Sequence, residues 1–392
     1  MKAAASIRNQ VAIVGVGESE IGRIPHMTGL GLNAQAAKRA LDDAGLKVAD
    51  IDGLLTAYSL TEPYFMLGSV LCEYLGLKPS FSASMVVGGA SPAVMLKHAA
   101  QAIVAGQAET ILVCAGENRA SGQTRDEAVA SLMAVGHPYF EQPYGTSIPG
   151  FYGMIAQRHM RVYGTTREQM ASVAVNTRGH ALLHPNAHMK APLTLEQVLS
   201  AKLIAEPLGM LDCCLISDAG GAFIVTSAER ARHLKAKPVY LQGIGEYHTH
   251  EHLMCAPSLT EFGAFESGNI AYEMAGLGPE DIDLAELYDC FTIVPIIELE
   301  ELGFCARGEG GEFFSKGYAR IGGKLPVNTH GGMLSHAHAG AAGGLFGIVE
   351  ATRQLRGGLG SRQVEGAEVA LVHNEGGILS SHCTVILSSD KS

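Results

Sequence analysis

The sequence has few charged residues, 17% of the total, and positive charge is the scarcer sign: 28 Lys and Arg stand against 39 Asp and Glu, for a net charge of -11. That balance disfavours nonspecific binding to nucleic acid or to an anionic membrane surface. Long apolar runs are missing as well. The most hydrophobic stretches, residues 11–16 and 111–115, are far too short to cross a bilayer and read as buried strands. At the N-terminus Arg8, Asn9 and Gln10 interrupt any apolar segment after Lys2, so no secretory signal is expected. None of the eight cysteines forms a Cys-x-x-Cys pair. They read as reduced thiols of a cytoplasmic enzyme rather than as a disulfide framework or a zinc site.

What is present is a globular composition: 47% hydrophobic residues, 48 glycines and 392 residues, enough for two core-forming units. A strand at 11–16 enters Gly15-Val16-Gly17, which lacks the third glycine of a dinucleotide fingerprint. Apolar periodicity predicts a helix over 32–44, stopped by Gly45. Ala44-Gly45-Leu46 and then Asp50-Ile51-Asp52 lead into a strand, and Ala275-Gly276-Leu277 and Asp281-Ile282-Asp283 repeat that order. The repetition suggests two related α/β halves; a common helix-to-strand connection is the plainer alternative. Further helices are expected at 93–105, 154–162, 166–177, 195–205, 264–275, 290–299 and 345–355. Further strands are expected at 109–115, 222–226, 239–245, 284–287, 369–373 and 383–387. Thr194 and Gln197 form a capping box. The charged stretch 227–237 divides the chain into halves 1–237 and 238–392, the first with a pocket-covering excursion at about 120–215.

Several segments can carry chemistry. His330, in Asn328-Thr329-His330-Gly331-Gly332, can position a thioester oxygen or move a proton, or simply cap a loop. His336 and His338 have the spacing of two rings on one face of a strand, a weak metal pattern, and 246–252 is another histidine-rich stretch without ligand spacing. Tyr288, where a strand gives way to a helix, suits a general acid or base if its pKa is lowered, whereas Cys290 precedes an apolar run that argues for burial. Asn374, Gly376 and Gly377 lie in a turn that can offer backbone donors to an oxyanion. Gly88, Gly89 and Ser91 precede a helix whose N-terminus can support a ligand or pack densely. Tyr139, Phe140, Tyr144, Phe151 and Tyr152 line either an aromatic pocket or an interface core.

Taken together, residues 158–173, 205–222, 286–292, 328–335 and 374–387 resemble the thiolase superfamily, in particular sterol-carrier-protein-type thiolases and their lipid-transfer-protein-like aldolase relatives. The resemblance runs from about Val11 to Leu387. It implies a thiolase-like α/β fold, two related halves with mixed sheets packed in layers, and a CoA thioester as substrate with no tightly bound organic cofactor or metal. It also implies a homodimer core and a small zinc-containing OB-fold partner giving a heterotetramer. The loop that carries the family's nucleophilic cysteine matches Met85–Ser91, with Val87 or Gly88 at the cysteine position and Ser91 too far along to replace it. Tyr288 stands where the thiolases have histidine and the aldolase relatives tyrosine, and a second tyrosine of those relatives is matched by His338. The late cysteine near Asn374 is missing too.

Claisen chemistry needs the absent thiols, whereas retro-aldol cleavage needs a base and donors for an enolate. The resemblance therefore points to cleavage or formation of a carbon–carbon bond on a β-hydroxyacyl-CoA, with Tyr288 or His338 as base and His330 and the Gly377 backbone as enolate donors. Acyl transfer or β-ketoacyl-CoA thiolysis by a displaced nucleophile is the alternative. A noncatalytic acyl-CoA- or lipid-binding subunit is the third.

Overall fold

A computed structural model describes residues 7–133, 135–145 and 147–390; Lys2 and the alanines beside it, which bear on the expected lack of a signal, lie outside these. The strands are β1 (Val11–Glu18), β2 (Gly53–Ala57), β3 (Phe81–Met85), β4 (Thr110–Asn118), β5 (Leu203–Ala205), β6 (Leu208–Gly209), β7 (Asp218–Ser227), β8 (Val239–His248), β9 (Leu284–Glu286), β10 (Val369–Gly376) and β11 (Ser381–Ser388). Apart from the β5–β6 ribbon they form one mixed sheet in the order β3-β2-β4-β7-β1-β8-β11-β10-β9.

The sheet reads the same from its middle outward. β1 pairs antiparallel with β7, β7 antiparallel with β4, and β4 parallel with β2. In the other direction β8 pairs antiparallel with β11, β11 antiparallel with β10, and β10 parallel with β9. The two series join at β1 and β8, where Ala12 faces Tyr240 and Ile13 faces Val239.

The repeated sequence segments occupy corresponding places in this pattern. Gly45 and Gly276 close the helices Gly29–Ala44 and Ala264–Ala275 in the left-handed conformation, at φ 70° and 66°. The first aspartate of each copy caps the next turn: the Asp50 carboxylate accepts from the Lys47 amide, and Asp281 from the Gly278 amide. The second ties the strand entry to its parallel neighbour. Asp52 accepts from the Glu109 and Thr110 amides, and Asp283 from those of Glu368 and Val369.

A second repetition is steric. A Cβ on Gly15 or Gly17 would lie 2.3 Å from the Ala40 or Ala36 carbonyl oxygen, and one on Gly243 or Gly245 would lie 2.1 or 2.0 Å from those of Ala271 and Ser267. Each Gly-x-Gly pair therefore lets a helix sit directly on a strand. This accounts for the lone Gly-x-Gly without any nucleotide.

One face of both halves is covered by helices Ser91–Val104 and Leu345–Arg356, which share one apolar cluster with it. On the opposite face, helices Gly29–Ala44 and Leu67–Leu75 cover the first half. Helices Ala264–Ala275 and Val294–Glu301, with the excursion helix Ile148–Tyr163, cover the second. No helix of the described residues is long and apolar enough to cross a membrane.

Several boundaries differ from expectation. The helix expected over 195–205 ends at Leu199, and Leu203–Ala205 is a strand; its Thr194–Gln197 capping box is present. Only Ala228–Ala231 of 227–237 is helical. The helix expected from 290 begins at Val294, because Pro295 suits a first turn and not an interior. His336 and His338 are not on a strand: Gly332–His336 is a π-helical turn.

Gly17→Ala and Gly245→Ala should each cost about 1–3 kcal/mol in chemical denaturation, because the new methyl meets backbone that cannot move. Gly179→Ala, at an exposed helical site with open space around it, should instead gain about 0.5–1 kcal/mol. Equal effects at all three positions would contradict the packing account.

Candidate active site

β2, β3 and β4 run parallel, so their C-terminal ends share one edge of the sheet and deliver Tyr58, residues 86–89 and Arg119 there. β9 and β10, also parallel, deliver Tyr288 and residues 374–377. Open α/β sheets gather ligand sites at such carboxyl edges.

The contact between the two sets is close. Gly88 adopts φ 54°, and a Cβ on it would lie 2.7 Å from the Gly377 nitrogen and 2.8 Å from the Gly376 Cα. On Gly89 it would lie 2.1 Å from the Tyr288 hydroxyl oxygen and 2.5 Å from the Glu375 carbonyl. Neither position admits a side chain. Ser91 does not face this space: it is fully buried, its hydroxyl donates to the Gly88 carbonyl at 2.7 Å and accepts from the Val87 amide at 3.0 Å. It staples the loop.

Tyr288 is 6% exposed. Its amide donates to Glu298 at 3.0 Å, and its hydroxyl has no protein hydrogen-bond partner among the described residues. Burial, reinforced by Cys290 and Glu375, pushes the phenol well above its ordinary pKa. This is the reverse of the lowering a base requires, so Tyr288 is a neutral donor.

His338 is half-buried. Its Nδ1 donates to the Leu215 carbonyl at 3.3 Å and lies 3.4 Å from the Cys214 sulfur. Burial, with the nearby Arg119 charge, pushes its pKa down to about 4. The ring is neutral at pH 7, and the Nδ1–H bond leaves the lone pair on Nε2. Asn374 donates to the Gly344 carbonyl at 3.1 Å, beside the Gly89 carbonyl, and its Oδ1 is buried without a partner. It lies in β10, which runs through Gly376, so the turn begins only at Gly377. Gly343, next to Gly344, packs on the His338 ring. Tyr288, His338, Asn374, Gly88, Gly89, Gly376 and Gly377 are thus brought together.

His330 lies elsewhere. Its Nδ1 pairs with Glu286 at 2.7 Å, and its ring meets His336 edge-on at 5.1 Å. Glu286 also accepts from Thr329, which bonds Glu350, itself paired with Arg362. Burial alone would lower the His330 pKa, but the Glu286 carboxylate, together with Glu350 and Asp289, more than offsets it and leaves it raised. No hydrogen bond links His330 to Tyr288 or His338 among the described residues. Gly331 and Gly332 serve packing, since a Cβ would lie 2.5 Å from Ala181 on the first and 2.0 Å from the Asp289 carboxylate on the second.

His336 points the other way from His338, to Glu18 at 3.2 Å. With His184 these two form the one potential metal-ligand trio among the described residues. Its groups are partly engaged, with His184 Nε2 and His336 Nδ1 left without a partner. Glu18 is paired with Arg353 at 3.1 Å, and the Asn186 amide donates to His184 Nδ1, which leaves the proton on Nε2. As arranged, Glu18 is ion-paired with Arg353 and two histidines that burial keeps neutral pack beside it. In the 246–252 stretch, Glu246 is held by Lys97 and His248, each at 2.8 Å.

The five aromatics do not share a pocket. Tyr139 and Tyr144 are 79% and 83% exposed and Phe140 is exposed, whereas Tyr152 is buried and stacks on Phe291 at 4.4 Å. Residues missing from the sequence reading complete the site. Tyr58 and Arg119 follow predicted strands and were findable as strand-end residues. Cys214 and Glu375 carry no local signal. Glu375 accepts from the Tyr152 hydroxyl at 2.7 Å, the Cys290 thiol at 3.3 Å and the Leu379 amide at 3.2 Å. Burial pushes its pKa up to about 7.

A buried carboxyl of this kind costs stability when it ionises. Below the ordinary glutamate pKa the folded and unfolded chains both hold the proton. Between that value and about 7 only the unfolded chain gives up its proton, so stability falls across this window and stays low above it. Glu375→Gln cannot ionise, so its stability relative to wild type should climb with pH, by about 3 kcal/mol in full. A flat difference between about pH 5 and about pH 9 in denaturation would contradict the assignment.

Residues 11–229 match the family described as thiolase, N-terminal domain, and residues 245–389 the thiolase C-terminal domain-like family. The chain is 36% identical over 389 residues to the 17-hydroxy-3-oxo-4-pregnene-20-carboxyl-CoA lyase of Mycobacterium tuberculosis, covering 93% of this chain and 96% of that one. It is 34% identical over 372 residues to an acetyl-CoA acetyltransferase of Methanothermobacter thermautotrophicus, covering 94% and 96%. The solved Ltp2-ChsH2(DUF35) aldolase superposes with a TM-score of 0.85 at 34% identity, covering 97% of this chain and 98% of that one.

Proposed function

Because the chain belongs to the thiolase family, a family of CoA-thioester enzymes, we propose that it makes or breaks a carbon–carbon bond in such a thioester, specifically by retro-aldol cleavage of a β-hydroxyacyl-CoA. The observation that carries this reading is the fit of Gly88 and Gly89 against Gly377 and Tyr288. The loop at 85–91 carries no thiol, and Gly88 and Gly89 leave no room for one at their own positions. A tyrosine hydroxyl fills the space beside it.

The steps follow from the protonation states. Neutral His338 takes the proton of the β-hydroxyl through Nε2, its orientation held by the Leu215 carbonyl. The O–H pair becomes the new carbonyl, the bond between the α and β carbons breaks, and its electrons pass into the thioester carbonyl. The enolate oxygen so formed accepts from the Tyr288 hydroxyl, with the Gly377 amide beside it. The proton taken up by His338 Nε2 then passes to the α carbon, which releases a shorter acyl-CoA and a ketone or aldehyde and restores the neutral ring. His330 is assigned a positioning part through its pair with Glu286. Relatives named as a lyase from Mycobacterium tuberculosis and a steroid side-chain-cleaving aldolase from Thermomonospora curvata support this direction.

One observation favours a second reading. Cys214 lies 3.4 Å from His338, so acyl transfer through a displaced thiol has a candidate. Burial pushes that thiol well above its ordinary pKa, which disfavours the thiolate it would need.

For assembly we propose a homodimer with a small zinc-containing OB-fold partner, giving a heterotetramer. The solved relative carries a two-protein name, and β3 is an outer strand of the sheet followed by exposed Val86. Free cysteines throughout support a reducing, cytoplasmic setting. Halves of 1–237 and 238–392 agree with the β1–β8 junction.

With the co-purified partner, Tyr288→Phe should lower kcat by about 10²–10³-fold, and His338→Ala by about 10²–10⁴-fold. Cys214→Ala should leave turnover intact. Intact-protein mass spectrometry during turnover should show no acyl adduct; a thioester on Cys214, lost with turnover in Cys214→Ala, overturns the lyase reading. With the His338 pKa at about 4, the acid limb of kcat/KM should fall well below the ordinary histidine value; a limb at about pH 6.5 contradicts His338 as base.

A further inference from the structure

Arg119 follows the last residue of β4 and is 6% exposed. No carboxylate lies within ion-pair distance of it and it makes no hydrogen bond among the described residues; its Nε is buried without a partner. The acids around it form no ion pair with it. One Glu117 oxygen accepts from the Ser59 hydroxyl and from the Leu60 and Thr61 amides, while the other is buried without a hydrogen-bond partner and feels the Arg119 charge only from beyond ion-pair distance. Asp218 accepts from the Ala120 and Ser121 amides and from Ile24, which fixes the backbone just beyond Arg119. Asp289 accepts from Met333 and Leu334.

The guanidinium is at the reacting end of the site. Its charge is felt by His338, Cys214, Tyr58 and Glu117. A desolvated charge without a partner is expensive to keep, and a guanidinium presents a planar fork of donors matched to a carboxylate. The diphosphate end of CoA is far from the scissile carbons, so a negative group meeting Arg119 belongs to the acyl part.

We infer that Arg119 binds a carboxylate carried by the acyl group, so that the substrate is the monothioester of a substituted dicarboxylic acid. This rests on the CoA-thioester reading above and names its substrate class.

The test is equilibrium binding of unreactive thioethers, S-carboxypropyl-CoA and S-carboxybutyl-CoA against their carboxamides, to the full chain with its co-purified partner. The wild type should prefer a carboxylate by about ten-fold or more. Arg119→Gln should abolish the preference while leaving CoA itself bound as before. Arg119→Lys, which keeps the charge but not the fork, should retain only part of it and serves if Arg119→Gln fails to fold. Equal binding of acid and amide by the wild type overturns the inference. So does an equal loss for both ligands in Arg119→Gln, which would put the guanidinium on the thioester itself. A carboxylate preference in a protein that cleaves no β-hydroxyacyl-CoA sinks the reaction proposed above and leaves this site standing.

Discussion

Two glycine pairs, Gly88–Gly89 and Gly376–Gly377, meet without space for a Cβ between them, and the site depends on that contact. It joins the carboxyl ends of strands from both halves of the sheet. It brings the Tyr288 hydroxyl to the loop that precedes the central helix. It also leaves no volume there for a nucleophilic side chain. The proposed chemistry accordingly uses donors and bases at Gly88 and Gly89 instead of a thiol.

The electrostatics follow from burial. Tyr288 is kept neutral and His338 is kept deprotonated, which fits the donor and base parts proposed for them. A separate buried network, Glu286–His330, Glu350–Arg362 and Glu18–Arg353, lies behind the site and pairs its charges internally. Arg119 is the contrast: a buried cation with no ion-pair or hydrogen-bond partner among the described residues.

Much of the fold was legible because it is written twice. The Asp-Ile-Asp segments announce the same turn and strand entry in both halves, and corresponding aspartates accept from corresponding amides. The Gly-x-Gly pairs repeat too, but their meaning lies in a helix packed from elsewhere in the chain, which no local pattern reveals. The site was read less evenly. Tyr288 and the glycine loops stood out by position. His330 stands out in sequence because it sits in a glycine-rich motif, and its Nδ1 is paired with Glu286. The alternation His336–His338 suggested a strand, but a π-helical turn sends the two rings to different neighbours. Glu375 and Cys214 owe their roles to contacts from distant elements, Tyr152 and His338, and nothing around them in sequence marks them.

The central claim is that carbon–carbon cleavage proceeds without an acyl-enzyme and without free CoA as a co-substrate. Single-turnover kinetics of the chain with its co-purified partner, on a β-hydroxyacyl-CoA at varied free CoA, test it most directly. The account predicts that a shorter acyl-CoA and a carbonyl compound appear together, at equal rates and with no dependence on added CoA. A rate that rises from zero with free CoA, with the long acyl group ending on a second CoA, would contradict it.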